Sequence, residues 1–324
     1  MVKKKVLITG ASGYIGSRLC QYLADLDYNV TALCHSNVPS DIAWKDKMEE
    51  VIIGDLRNNE FVNKLAFKQF QIVIHLVSLD HHQSNNGIPS DVSAVNITPV
   101  WSLLNVFAKN NLEKFIYFST TQVYDLFSGG DISESNVVCT QSPYGLTHHI
   151  GEIICDYYNR NSTVQCSVVR LSNSYGAPIF RENNCWWLVI NDLCRMAFFK
   201  KEIVLQSDGS PLRDFIHGWD VCQAVEVIIK TNAKHNVYNL SSGKTISIMD
   251  IALEIQKIYL KKYGSELPLI SKPLCSENNH VDYVVDNGLI VSLGFSLKWS
   301  LERGINDLFD YLEKENDTVF LDKT

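Results

Sequence analysis

The sequence predicts an α/β fold, a doubly wound parallel sheet followed by a smaller C-terminal domain. Three observations carry this prediction. An apolar run, Val6-Leu7-Ile8, enters Thr9-Gly10-Ala11-Ser12-Gly13-Tyr14-Ile15-Gly16, whose glycines stand three apart, and an amphipathic segment marked by Leu19, Tyr22, Leu23 and Leu26 follows. Short apolar strands recur at 29–33, 51–53, 72–76, 115–119 and 167–171. Helix-period segments near 58–68, 94–109 and 144–159 separate them, and strand alternating with helix specifies parallel strands joined by crossovers.

Taken in order, the first strand, tight turn and helix make an anion site. Gly10 permits a turn that other residues resist, Gly13 lets backbone approach a pyrophosphate, and Gly16 packs helix on strand, so that helix N-terminal amides face phosphates. In such sheets ligands bind outside the carboxyl ends of the strands, which is where Gly10, Asp55, His75, Thr120 and residues 170–175 fall. The pattern changes after Tyr175. Residues 1–175 are therefore read as a dinucleotide-binding domain, with parts of 213–245 returning to it, and 176–324 as the smaller domain. No internal repeat, low-complexity tract or Pro-rich linker marks the boundary.

Composition is that of a folded chain: 46% hydrophobic and 20% charged residues over 324 positions can bury a large core. With a net charge of −7 and Lys3-Lys4-Lys5 the only tight basic run, no nucleic-acid partner is expected. The apolar stretch after those lysines is too short for a signal peptide, nothing approaches a membrane span, and a cytoplasmic location is expected. Nine cysteines without a Cys-x-x-Cys pair suggest reduced thiols; Cys20, Cys34, Cys155 and Cys166 read as packing residues.

Several further motifs follow in one order. They are Gly54-Asp55-Leu56, His75-Leu76, Asn96, Phe118-Ser119-Thr120-Thr121-Gln122-Val123-Tyr124, Ser142-Pro143-Tyr144-Gly145-Leu146-Thr147-His148 and Arg170-Leu171-Ser172-Asn173-Ser174-Tyr175-Gly176, then Arg213-Asp214-Phe215-Ile216, Leu293-Gly294-Phe295 and the stretch from Trp299 to Gly304. Together with the glycine turn they resemble, nearly end to end, the extended short-chain dehydrogenase/reductases, the NAD(P)-dependent epimerases, dehydratases and reductases of nucleotide-linked sugars. The resemblance implies a Rossmann-type sheet with a smaller C-terminal substrate domain and a nucleotide-diphosphate sugar as partner. It also implies a homodimer through the helices near 94–109 and 144–159. By the same resemblance the cofactor meets Gly10, Gly13, Tyr14, Ile15, Gly16, His35, Asp55, Leu56, Leu76, Val77, Tyr144 and His148. Ser78, Thr120, Thr121, Asn173 and Arg213 are the substrate-side candidates.

Hydride transfer at a sugar carbon requires a proton moved to or from its oxygen, and Tyr144 is the candidate group. A free phenol has a pKa near ~10, so a nearby cation must favour the phenolate before it acts as a base. The family supplies a lysine four residues on; here that position is His148, an imidazole only about a quarter protonated at pH 7 if unperturbed. A ring nitrogen of His148 could still bond the nicotinamide ribose. His149 lies about a quarter-turn away and reads as a surface or packing residue. Thr120 offers a hydroxyl to the reacting oxygen, with strand-end capping as its plain structural role. Family members that eliminate water carry an Asp-Glu pair after this hydroxyl. This chain has Thr121-Gln122, leaving 4-epimerisation, 4-ketosugar reduction or 4-dehydrogenation.

Cofactor choice is read at the end of the second strand, Cys34-His35-Ser36, where the absence of a carboxylate and the presence of His35 favour NADP over NAD. On the substrate side, Arg213 has the bidentate fork that suits a diphosphate. The stretch 181–187 joins it there, although Trp186 and Trp187 read as core. His81 and His82 overlie the expected pocket without a third ligand, so no metal is expected. The alternative is a catalytically impaired dinucleotide-binding or redox-sensing protein of the same fold, supported by the missing lysine.

Overall fold

The computed structural model describes residues 3–124, 129–231, 236–273 and 281–321, with side chains up to 316. Seven strands form the main sheet: β1 (Lys5–Thr9), β2 (Asn29–Cys34), β3 (Glu50–Ile53), β4 (Ile72–His75), β5 (Lys114–Thr120), and, after β6 (Gly130–Ile132), β7 (Gln165–Leu171). The seventh is β11 (Val237–Leu240), preceded by β8 (Asn173–Tyr175), β9 (Ile203–Val204) and β10 (Leu212–His217). The sheet order is β3-β2-β1-β4-β5-β7-β11, all parallel. The order reverses at β1, and register sets Thr9 beside His75 and Leu33, so the crevice of a doubly wound sheet opens above the glycine turn. β4 and β5 are buried along their whole length, as central strands covered on both faces are.

The helices are α1 (Tyr14–Asp25), α2 (Ile42–Asp46), α3 (Asn59–Leu65), α4 (His81–Asn86), α5 (Pro89–Asn96), α6 (Thr98–Phe107), α7 (Pro143–Asn161), α8 (Val189–Lys200), α9 (Gly218–Lys230), α10 (Ile248–Tyr263), α11 (Gly288–Ser292) and α12 (Leu301–Leu321). One face of the main sheet packs on α1 and α9 through Leu19, Leu23, Val221 and Val225; the other packs on α3, α6 and α7 through Val62, Leu103, Phe107 and Cys155. A separate core gathers Ile190, Leu193, Ile251, Ile255, Leu308 and Phe309 from α8, α10 and α12. β10 bridges β8 and β12 (Thr245–Ser247), β9 pairs with β13 (Leu269–Ile270), and β6 with β14 (Tyr283–Val285).

All five later strands read from the sequence are present, with ends within two residues of the predicted ones. The predicted helix over 94–109 is two helices. Pro99 enters the first turn of α6 without an N–H, and Ile97 takes φ −110° and ψ −54° between them, so one continuous ladder cannot form. Leu26, read as part of the first apolar face, lies past the end of α1 on an exposed turn that Asp27 continues at φ 69°. The eight described cysteines are free and all but Cys139 are buried; Cys275 lies outside the described residues.

Candidate active site

The turn after β1 has the shape its glycines predict. Gly10 sits at φ 69°, and a Cβ there would lie 3.4 Å from the Leu76 carbonyl carbon and 3.5 Å from the Val77 nitrogen, so the turn abuts the end of β4. A Cβ on Gly16 would overlap the Gly10 carbonyl oxygen, which lets only glycine bring α1 this close. Gly13 is the N-cap and offers no side chain, whereas Asp41, Asn58, Asp80 and Ser142 cap their helices. The first-turn amides of α1, Tyr14 and Ile15 among them, are left for an anion. The Tyr14 ring lies 4.5 Å under the Arg18 guanidinium and its hydroxyl is buried, so only its backbone faces the turn. Beside the turn, Thr9 Oγ1 is 2.8 Å from His75 Nδ1 and accepts from the Leu76 amide. Burial pushes His75 down to about 3, so its ring is neutral.

At the ends of β2 and β3, His35 Nε2 stands 3.5 Å from Asp55 Oδ2. Arg57 grips the same carboxylate through Nε at 3.0 and 2.9 Å and Nη2 at 2.6 Å, holding it at about 2. Leu56 is buried beneath them. Arg57 escaped the sequence reading, although its spacing of two from Asp55 signals a turn pair.

Thr120 ends β5 and Tyr144 opens α7, and the Thr120 hydroxyl lies near enough to the phenol to lower its pKa. Thr120 Oγ1 also accepts from the Gln122 amide at 3.2 Å, so its capping role and its contact with Tyr144 coexist. That acceptance leaves its own hydrogen for the phenol oxygen. Burial, and then the charge of Asp80, push Tyr144 up to about 12 against the pull of Thr120. His148 is buried, its ring centroid 4.3 Å from that of Tyr144. Nδ1 lies 2.9 Å from the Tyr144 carbonyl oxygen, to which it donates, leaving Nε2 as an acceptor. Burial lowers the His148 pKa below its ordinary value despite the Tyr144 carbonyl and Glu152, so the imidazole is a weaker cation than an unperturbed ring. At neutral pH the imidazole is charged in less than the quarter of molecules that an unperturbed ring would give.

Other elements hold this pair in place. Asn85 of α4 accepts from the Tyr144 amide at 3.2 Å, and the His81 ring stands edge-on to Tyr144 at 5.7 Å. Asn96 donates to Thr147 Oγ1 at 3.0 Å and accepts from the Leu79 amide. Glu152, two turns after Tyr144, is buried and accepts from Ser119 Oγ at 2.5 Å and from Arg170 Nε and Nη2 at 3.0 and 2.6 Å. Although burial raises its pKa, His149, Arg170 and Ser119 bring it net below the usual glutamate value. Arg170 goes on to Tyr124 Oη at 2.6 Å and Tyr124 to Asn239 at 2.8 Å, tying α7, β5, β7 and β11 together. Glu152 was missed; the signal was a carboxylate two i+4 steps from Tyr144 on a helix face otherwise buried.

The substrate-side candidates scatter more. Thr121 is buried; Ser78 is exposed, its hydroxyl turned to the Leu79 carbonyl. Asn173 spends its amide on the Asp214 carbonyl at 2.9 Å. Arg213 is exposed on β10, donating to the Leu212 carbonyl at 2.7 Å and lying beside the Tyr283 hydroxyl. Next to it Asp214 is buried and gathers Ser172, Ser242 and the Lys244 amide. In the stretch 181–187 the structure turns Arg181 to Glu315 and Trp186 to Tyr311, leaves Trp187 exposed, and directs Asn183 to the glycine turn.

Residues 6–241 match the family described as the NAD dependent epimerase/dehydratase family, well over half the chain. The chain belongs to that family. As an epimerase/dehydratase family member it is an enzyme, and the uncapped N-terminus of α1 over its glycine cradle fits the dinucleotide such enzymes use. The low-salt glycan biosynthesis protein Agl12 of Haloferax volcanii is 24% identical over 312 residues, covering 94% of this chain and 97% of that one. A dTDP-D-glucose 4,6-dehydratase of Mus musculus is 25% identical over 323 residues, covering 96% and 89%. Among solved structures, a UDP-glucuronic acid 4-epimerase from Bacillus cereus, in complex with UDP-glucuronic acid and NAD, superposes with a TM-score of 0.77 at 26% identity over 96% of this chain and 99% of that one.

Proposed function

We propose that the protein reduces a 4-keto group on a nucleotide-diphosphate sugar with NADPH and eliminates no water. The observation that supports this best is a Thr120–Tyr144 hydroxyl pair whose neighbouring cation position is an imidazole with its pKa lowered by burial. A phenol held near 12 is a proton donor at neutral pH, not a base. Reduction asks for a donor: the ketone oxygen takes the Tyr144 proton as its carbon takes hydride. When bound, the nicotinamide supplies that hydride. Thr120 donates to the phenol oxygen and steadies the phenolate left behind. His148, fixed through Nδ1, offers Nε2 as acceptor to a ribose hydroxyl.

Thr121 and Gln122, neither of them an acid, follow Thr120 where elimination would need one, which argues against a dehydratase. NADPH is favoured because β2 ends without a carboxylate, in Cys34-His35-Ser36, while Arg57 occupies the Asp55 carboxylate beside it. Arg213 is assigned to the diphosphate. Residues 1–175, with parts of 213–245, would carry the dinucleotide and 176–324 the sugar. A second reading, 4-epimerisation, draws on the 26% identical Bacillus enzyme and would require Tyr144 to begin as a base.

The reading is tested by offering the protein NADPH with UDP-4-keto-6-deoxyglucose and, separately, NAD with UDP-glucuronic acid. Loss of reduced-nicotinamide absorbance with formation of the 4-alcohol is expected in the first mixture. Tyr144→Phe is expected to slow it about 10²–10⁴-fold while the protein still binds NADPH. C4 inversion without net cofactor consumption supports the epimerase instead, and in a third mixture, NAD with UDP-glucose, a product lighter by one water overturns the exclusion of elimination.

A further inference from the structure

The connection between β8 and α8 is tied to the dinucleotide turn by one buried side chain. Asn183 Nδ2 donates to the Ser12 carbonyl at 2.7 Å, across 171 residues of sequence. Its Oδ1 accepts from Ser17 Oγ at 3.1 Å and from the amides of Ile179 and Phe180 at 3.2 and 3.3 Å. The Ser12–Gly13 peptide is thus held on both sides: Asn183 takes its carbonyl, and the Gly10 carbonyl accepts its N–H at 3.0 Å. In a trans peptide these two groups point in opposite directions, so two bonds fix the rotation of that plane. That rotation sets where the following amides, Tyr14 and Ile15, aim at the start of α1.

The surrounding contacts hold the anchor rather than the anion. Trp44 Nε1 donates to the Ser17 carbonyl at 3.0 Å and stands edge-on to Phe180 at 5.3 Å. Arg18 donates to the Ala177 carbonyl, and Ser40 of the loop after β2 bonds Glu182. Asn183 alone of these reaches the carbonyl that precedes the N-cap.

We propose that Asn183 is a positioning residue for the dinucleotide. From the connection that leads into α8, and without touching the cofactor, it holds the glycine turn in the conformation that binds a pyrophosphate. The inference rests on the glycine turn carrying a dinucleotide and is independent of which sugar reaction follows.

The experiment titrates the full-length protein with three probes: NADPH and ADP-ribose, which contain a pyrophosphate, and adenosine, which does not. Asn183→Ala is expected to weaken NADPH and ADP-ribose by about tenfold, the scale of one buried hydrogen bond, and to leave adenosine unchanged. Asn183→Asp keeps the acceptor for Ser17, Ile179 and Phe180 but loses the donor to Ser12. It should show the same selective loss, which covers poor folding of the alanine variant. Equal weakening of all three probes would mark a general structural role and overturn the proposal, as would no weakening at all. Wild-type protein that binds neither pyrophosphate probe overturns the dinucleotide reading itself.

Discussion

At the scale of single residues, the proposed chemistry turns on His148 standing where the family has a lysine. An imidazole with a lowered pKa is charged less at neutral pH than an ordinary histidine, so this position pulls Tyr144 toward ionisation far less than a lysine would. The reductive rate of the wild type is therefore expected to stay flat from about pH 7 to 9, while the reverse oxidation climbs with pH as phenolate forms. His148→Lys installs a permanent cation, and each unit by which it lowers Tyr144 is a tenfold gain in phenolate. Oxidation of the 4-alcohol near pH 7 should then rise about tenfold or more and reach its plateau at lower pH. A pH–rate profile of His148→Lys that overlays the wild type would contradict this role. Tyr144, Thr120 and His148 stand out in the sequence as a spaced motif on one strand end and one helix, and the fold brings them near one another. Glu152's bonds to Ser119 and Arg170, and Asn183's to Ser12 and Ser17, were not legible there, since each joins elements that only the tertiary fold brings together.

At the scale of elements, α7 must come unusually close to the turn after β5. A Cβ on Gly145 would stand 2.5 Å from the Gln122 carbonyl oxygen, a backbone atom with little room to retreat, and one on Gly151 would overlap the Tyr117 hydroxyl. Gly145→Ala is expected to push the first turn of α7 away, separate the Thr120 and Tyr144 hydroxyls and cost about 1–3 kcal/mol of stability. Turnover should fall about 10²-fold with dinucleotide affinity kept, as kinetics and denaturation would show. Undiminished turnover would mean that the approach of α7 does not set the pair. The strands were readable because fully covered parallel strands are continuous apolar runs, and that signal is local. The division of 94–109 into α5 and α6 was carried by Pro99, whose missing N–H outweighs the continuous apolar periodicity around it.

At the scale of the whole molecule, the sheet gathers its strand ends around one crevice, and α6 and α7 present an apolar face on its flank. Leu146, Ile153 and Tyr157 recur along one side of α7 at 49%, 53% and 53% exposure, and Trp101 of α6 adds 60%. A second copy of the chain is the occupant proposed for this face, and Ile153→Glu should convert a dimer to a monomer in sedimentation; a monomeric wild type would refute it. The class of the fold was visible in strand–helix alternation, whereas the shifts that burial imposes on Tyr144 and His148 were not. The most direct measurement follows a deuterium on the hydride position of NADPH into the product of UDP-4-keto-6-deoxyglucose. Deuterium at sugar C4 in a 4-alcohol is the expected result; its absence from that carbon, or a wild type that leaves the ketosugar untouched, would contradict the assignment.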